Sequence, residues 1–183
     1  MEETNEQPTL LKHAIRWGLI AGGVSVGLTA LLYIIDYTLM VQVKTALLML
    51  VVYFGIIIYG GIDYRKTVGG FLPFGKAWTH GFVVFVISGI VATAFNLLLH
   101  HVIDPELPQK LADASVENTR AMMENFGASG ASLDQALDQA KEKAANQYTV
   151  SGQALAYLIM VAGSTVLALI SALFVRKNVP IEG

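Results

Sequence analysis

Residues 17–35, WGLIAGGVSVGLTALLYII, form a run of 19 positions without a charged side chain between Arg16 and Asp36. At about 1.5 Å of rise per residue, a helix of this length spans roughly 28 Å, close to the ~30 Å hydrocarbon core of a bilayer. The run is too long for the apolar region of a typical secretion signal, and its far end lacks the small residues of a cleavage site. It therefore predicts a transmembrane helix that is retained in the protein.

Three further apolar runs are long enough to span a membrane, at residues 45–62, 78–99 and 148–175. The 183-residue chain is 54% hydrophobic and only 14% charged, whereas soluble domains have roughly 25% charged residues. This composition excludes most soluble enzymes and disordered chains, and the net charge of -2 argues against a nucleic-acid binder. We predict an all-α integral membrane protein built as a four-helix bundle.

Residues 104–147 differ from the rest of the chain, because they hold 12 of its 26 charged residues and have a net charge of -4. Pro108 fits the first turn of a helix, and residues 127–130 end that helix. Ser132 and Gln135 then have the spacing of a capping box. The predicted apolar faces are Leu111, Ser115, Met122 and Phe126, followed by Leu133, Ala136, Leu137, Ala140 and Ala144. We expect an extramembrane amphipathic helical hairpin between the third and fourth spans.

The placement of lysine and arginine predicts the orientation, since cytoplasmic loops are enriched in these residues. Seven of them fall on one side of the four-span arrangement: Lys12, Arg16, Arg65, Lys66, Lys76, Arg176 and Lys177. We therefore expect both termini to be cytoplasmic and the hairpin to lie outside. The predicted regions are an amino-terminal arm (1–16), three spans (17–103), the hairpin (104–147) and the fourth span with a basic tail (148–183).

Small residues recur at four-residue spacing in two of the predicted spans. They are Gly18 and Gly22, Gly23 and Gly27 in the first span, and Ser164, Ala168 and Ala172 in the last. Small side chains let transmembrane helices approach closely, so that dispersion contacts accumulate. The pattern fits packing within one four-helix bundle, and it also fits the seam of a homo-oligomer.

The only sequence cluster with metal-ligand character is His100, His101 and Asp104. Adjacent histidines on a helix point about 100° apart, so we interpret these residues, with Asn96 one turn earlier, as a polar ladder at the membrane boundary. No span has an ionisable residue at its centre, which argues against proton- or ion-coupled transport. The chain also has no cysteine and no common hydrolase or nucleotide-binding motif. We predict no catalytic residue, no metal and no cofactor.

The second connection combines Gly69 and Gly70, which permit a tight turn, with aromatic residues that recur towards the third span. Its sequence YGGIDYR at 59–65 and GFLPFGKAWTHG at 70–81 resembles an uncharacterised bacterial membrane family, domain of unknown function 4199. The residues that carry the resemblance are Gly70, Phe74, Gly75, Ala77 and Gly81. The resemblance implies four spans, a charged helical insertion before the last span and a basic carboxyl end. It implies no activity, cofactor or catalytic residue.

These patterns predict a non-enzymatic interaction or accessory protein, because the acidic hairpin is the only large polar surface. The expected partners are the lipid bilayer, a protein at residues 104–147 and a second copy of the chain. The alternative is a small transporter or channel that acts as an oligomer and has a path lined by Thr29, Thr93 and Asn96. A membrane enzyme is the third possibility, and only the histidine pair supports it.

Overall fold

The computed structural model describes residues 9–179, which form six α-helices. These are α1 (Leu10–Asp36), α2 (Val43–Thr67), α3 (Phe74–Leu98), α4 (Leu107–Asn125), α5 (Ala131–Gln147) and α6 (Val150–Val175). A 3-10 turn (Tyr37–Val41) follows α1, and a π-helical turn (Leu99–Ile103) follows α3. Within these residues the extended structure is a single isolated bridge, between Leu72 and Lys177. The all-α class is confirmed.

Four helical segments are long and apolar enough to cross a membrane: Leu10–Val41, Val43–Thr67, Phe74–Ile103 and Val150–Val175. They extend beyond the charge-free runs, because long basic side chains at helix ends can reach water while the helix continues. Helix α1 begins at Leu10 and so includes residues 10–16 of the predicted arm. Residues 1–8 of that arm and residues 180–183 of the basic tail lie outside the described part of the chain.

The chain divides into two compact units. Unit 1 takes its described residues from Met1–Ser25, Val51–Val91 and Ile159–Gly183, and unit 2 consists of Val26–Leu50 and Ala92–Leu158. The main core of unit 1 contains Ala14, Ala21, Ile57, Val84, Phe85 and Ala168, contributed by α1, α2, α3 and α6. Half of these residues are alanines, as expected where helix backbones approach closely.

The α2–α3 connection in unit 1 is anchored by the carboxyl-terminal tail. Gly69 and Gly70 have backbone φ angles of 87° and 85°, which residues other than glycine rarely adopt. Leu72 and Lys177 then exchange two backbone hydrogen bonds of 2.8 and 2.9 Å. Arg65 Nη1 also donates to the Val175 carbonyl oxygen at 2.8 Å. The connection is therefore held at both of its ends.

Unit 2 contains the α4–α5 pair, whose helices pack against each other. Its core is formed by Leu99, Leu107 and Leu111. Pro108 lies in the first turn of α4, as predicted, where its missing N–H needs no partner. Asp104 Oδ1 accepts hydrogen bonds from the backbone N–H groups of the two residues that precede Pro108, at 3.1 Å each.

The predicted capping box at Ser132 is wrong. Helix α5 begins at Ala131 and has Gly130 as its N-cap residue. Gly130 has a φ angle of 58°, so the chain turns into the helix before Ser132 is reached. The Ser132 hydroxyl instead donates to the Ser129 carbonyl oxygen at 3.0 Å.

The apolar faces of the two helices are only partly buried. Leu111, Leu137 and Ala144 are buried. In contrast, Met122 is 45% exposed and Phe126 is 83% exposed. The far end of α4 thus presents apolar surface to the surroundings of unit 2.

Candidate functional sites

Unit 1 contains a group of polar and aromatic side chains that we call the histidine cluster: His13, Trp17, Asp63, Tyr64 and His80. His13 Nδ1 lies 3.0 Å from His80 Nε2, and His13 Nε2 lies 3.2 Å from Asp63 Oδ2. Trp17 Nε1 donates to the same Asp63 oxygen at 3.2 Å. Helices α1, α2 and α3 each contribute at least one member, so the cluster connects three helices.

The cluster passes from a partly exposed end to a buried end. The Asp63 side chain is 45% exposed, His13 is 5% exposed and His80 is fully buried. Burying ionisable groups is costly unless they are paired. Here the three groups are paired in series, with the carboxylate at the accessible end.

Aromatic rings surround the two histidines. The Tyr64 ring stacks on His80 with a centroid distance of 5.5 Å, and it lies 5.1 Å from the His13 ring. Trp17 reaches the cluster because position 60 is a glycine, where a Cβ atom would lie 2.8 Å from Trp17 Cδ2. The close approach of α1 and α2 at Gly60 therefore brings the Trp17 indole to Asp63.

Sequence reasoning missed the histidine cluster. His13 and His80 are 67 positions apart, and His13 and Asp63 are 50 positions apart, so no local spacing connects them. In the sequence analysis, Asp63 and the charged residues near His13 only define the ends of the charge-free runs. The available signal was that ionisable residues occur near the same end of three consecutive spans.

Unit 2 contains an open cleft of about 710 Å³ beside the α4–α5 pair, which we call the hairpin cleft. Both charged residues that line it are lysines, Lys44 and Lys143, and the structure gives neither an ion pair among the described residues. Its exposed large apolar side chains are Phe126, Met122 and Val43. The cleft can therefore take up an apolar group that carries a negative charge.

The small residues of the first span have different surroundings. A Cβ atom at Gly18 would lie 2.6 Å from Ile87 Cβ, and one at Gly22 would lie 2.7 Å from Val91 Cβ. Gly23 and Gly27 have no such neighbour within 4 Å in the described structure. In the last span the small residues are buried, and they are Ser164, Ala168 and Ala172.

The family-motif residues lie in and after the α2–α3 connection. Gly70 occupies the turn, Phe74 is the first residue of α3 and Ala77 is buried. A Cβ atom at Gly81 would lie 2.8 Å from Ser171 Oγ, whereas Gly75 faces open space. Two of these glycines thus have a structural role, one in the turn and one at the α3–α6 contact.

The structure does not bring His100, His101 and Asp104 together as one site. His100 is buried, with Nδ1 3.1 Å from Gln153 Nε2, whereas His101 is exposed. No group of three metal-ligating side chains occurs among residues 9–179. Asp104 instead accepts hydrogen bonds from the backbone N–H groups of Glu106 and Leu107 at the start of α4, and it lies 3.7 Å from Lys110 Nζ.

Lys110 also forms an ion pair with Glu106 at 3.2 Å. Its hydrogen bond to Glu106, assisted by Asp104, raises the pKa of the Lys110 ammonium group.

The polar residues of the predicted transport path are all half-buried in unit 2: Thr29, Thr93 and Asn96.

Comparison with known proteins gives a family but no activity. No curated protein and no solved structure matches the chain. A family model described as a protein of unknown function, DUF4199, matches residues 16–177. This range includes the α2–α3 connection, the α4–α5 pair and nearly all of the four apolar segments. The chain therefore belongs to the DUF4199 family of proteins of unknown function.

Proposed function

We propose that this multi-pass membrane protein is a non-enzymatic interaction or accessory protein of the bacterial inner membrane. In this proposal both termini are cytoplasmic and the acidic α4–α5 pair is presented on the outside, where it binds a partner protein. The hairpin cleft is the observation that carries the proposal, because it combines exposed apolar side chains with an open volume of about 710 Å³.

The exposed apolar surface supports a binding role for the end of α4. Phe126 is 83% exposed although it is the last large apolar residue of the amphipathic pattern. Large exposed aromatic side chains beside a concave surface are typical of protein interaction sites. A partner helix that places an apolar residue against Phe126 would bury this surface.

The charges of the cleft favour a particular partner chemistry. The hairpin segment as a whole is acidic, yet the charged residues of the cleft itself are Lys44 and Lys143. Charge complementarity of this kind selects partners and orients them. We therefore propose that the partner presents an amphipathic helix with a carboxylate close to its apolar face.

The proposal can be tested by affinity capture of the full-length protein from solubilised membranes, compared with Phe126→Ser. Glu124→Ser is the matched control, since Glu124 is exposed in the same helical turn but does not line the cleft. We expect Phe126→Ser to lose a partner that wild type and Glu124→Ser retain. An identical set of captured proteins for the full chain and a chain without residues 105–147 would contradict the proposal.

A small transporter or channel is the second candidate function, and the histidine cluster is the observation that favours it. Ionisable side chains within membrane-spanning segments commonly mark proton or ion pathways, and His13, Asp63 and His80 all lie within candidate spans. The proposed water-accessible path, acting in an oligomer, is the one lined by Thr29, Thr93 and Asn96. These residues belong to unit 2, whereas the histidine cluster belongs to unit 1.

Cysteine substitution tests this second candidate, because the natural chain contains no cysteine. Thr29→Cys, Thr93→Cys and Asn96→Cys should react with a water-soluble thiol reagent in membranes if these residues line an aqueous path. Leu31→Cys is the control for lipid exposure, since Leu31 is exposed on α1 at 55%. If none of the three positions reacts, transport along this path is excluded.

A further inference from the structure

The histidine cluster contains one nitrogen atom without a hydrogen-bond partner among the described residues. His80 Nδ1 is buried and unpartnered, while His80 Nε2 is bonded to His13. Buried polar atoms are nearly always satisfied in folded proteins, so an exception calls for an explanation. The explanation lies in how protons are distributed along the cluster.

The hydrogen-bond distances determine which nitrogen atoms carry protons when both histidines are neutral. Asp63 Oδ2 accepts from Trp17 Nε1 and from His13 Nε2, so His13 is protonated at Nε2. Neutral His13 then has a lone pair at Nδ1, which accepts the Nε2–H of His80. His80 Nδ1 is consequently a bare lone pair in a buried position.

We propose that the histidine cluster is a proton-binding site in which His80 Nδ1 receives the proton and Asp63 is the counter-ion. The proton comes from a hydronium ion: one O–H bond breaks, an N–H bond forms at His80 Nδ1, and water is released. The proton between the rings then moves from His80 Nε2 to His13 Nδ1, so one N–H bond breaks as another forms. The positive charge is thereby placed on His13, next to the Asp63 carboxylate.

The attraction of the Asp63 carboxylate favours the occupied state. Without the bound proton the cluster carries the single negative charge of Asp63, and with it the cluster is an ion pair of zero net charge. Charge-assisted hydrogen bonds are stronger than neutral ones, so the His13–Asp63 contact of 3.2 Å strengthens when the proton binds.

Few other charges act on the two histidines. Arg16, exposed on α1, is the cation that faces His13, and Asp63 of α2 is the anion. Tyr64 adds a phenol ring. Helix α6, which contacts α3 at Gly81, has no histidine, lysine, arginine or carboxylate. Asp63 is therefore the residue whose removal most directly changes proton binding.

Solid-state NMR of the full-length protein, labelled with ¹⁵N-histidine and reconstituted in lipid vesicles, tests the proposal. A ¹⁵N–¹⁵N correlation across the 3.0 Å contact identifies the His13 and His80 signals among the four histidines. As the pH is lowered, we expect His13 to become doubly protonated and His80 to change tautomer, from Nε2–H to Nδ1–H, in one shared transition. Asp63→Asn should lower the midpoint of that transition by about one to three pH units, because an opposite charge is lost.

Asp113→Asn is the control, since this exposed carboxylate lies on α4 in unit 2, and it should leave the midpoint unchanged. Independent titration of the two rings, or the same midpoint in Asp63→Asn and wild type, would overturn the proposal. If Asp63→Asn does not fold, the wild-type protein still tests the proposal. A shared transition of its two histidine rings supports the proposal, and independent transitions contradict it. The site lies in unit 1 alone, so its failure would leave the hairpin proposal intact.

Discussion

His13 and His80 are separated by 67 positions in the chain, and a hydrogen bond of 3.0 Å joins His13 Nδ1 to His80 Nε2. Both rings are buried, and Asp63 continues the chain of hydrogen bonds from His13 to a partly exposed position. Because the three residues come from α1, α2 and α3, this end of unit 1 has polar contacts between helices that otherwise meet through apolar and small side chains.

The first prediction concerns the stability of this pair. His80→Leu should lower the free energy of unfolding by about 1–3 kcal/mol, because His13 Nδ1 is left buried without a partner. The double variant His13→Leu/His80→Leu should be less destabilised than the sum of the single variants, since both sides of the His13–His80 hydrogen bond are then removed together. Denaturant unfolding in detergent micelles measures these differences. His101→Leu, at an exposed position, is the control, and an equal effect in His80→Leu would contradict the prediction.

The four candidate spans and the helices α4 and α5 could be predicted because their signals are local. A charge-free run forms a helix as long as the bilayer core is thick, and Pro108 indicates the start of a helix to within one turn. The histidine cluster could not be predicted, because it depends on how three helices pack and on Gly60 admitting Trp17. The predicted capping box is wrong for another reason. Gly130, with a φ angle of 58°, is the N-cap residue of α5, so the helix begins before Ser132.

The second prediction compares two adjacent glycines on α1. Gly22→Ala should lower the free energy of unfolding by about 1–3 kcal/mol, because the new Cβ would lie 2.7 Å from Val91 Cβ and force α1 and α3 apart. Gly23→Ala should be neutral or stabilising by about 0.4–1 kcal/mol, since its Cβ meets open space and the unfolded chain becomes less flexible. Unfolding in micelles measures both. Equal effects at the two positions would show that α1 presents a different face to α3.

The third prediction concerns the junction between α5 and α6 in unit 2. A Cβ atom at Gly152 would overlap the backbone carbonyl oxygen of Asn146 and lie 3.0 Å from Gln147 Cα. Backbone atoms cannot rotate away, so Gly152→Ala should destabilise the junction by about 1–3 kcal/mol and increase amide hydrogen exchange in α5. Gly163→Ala, in the same helix but facing open space, should leave exchange in α5 unchanged. If amide hydrogen exchange in α5 is unaltered in both variants, the close contact between Gly152 and the Asn146 carbonyl is excluded.

The fourth prediction is the orientation in the membrane. A fusion after Lys143 should place a reporter outside the cytoplasm, and a fusion after Lys177 should place it inside, because one span separates the two positions. A fusion after Gly70 should agree with the one after Lys177, since the basic residues Arg65 and Lys66 precede it and positive charge favours the cytoplasmic side.

Paired reporters, one active only outside the cytoplasm and one fluorescent only inside it, measure all three fusions. If the Lys143 and Lys177 fusions report the same side, the segment Val150–Val175 does not cross the membrane and the four-span topology is wrong. If they report opposite sides with the hairpin inside, four spans remain but the orientation is reversed. In that case the hairpin would meet cytoplasmic partners, and the search for a partner helix would move to that side of the membrane.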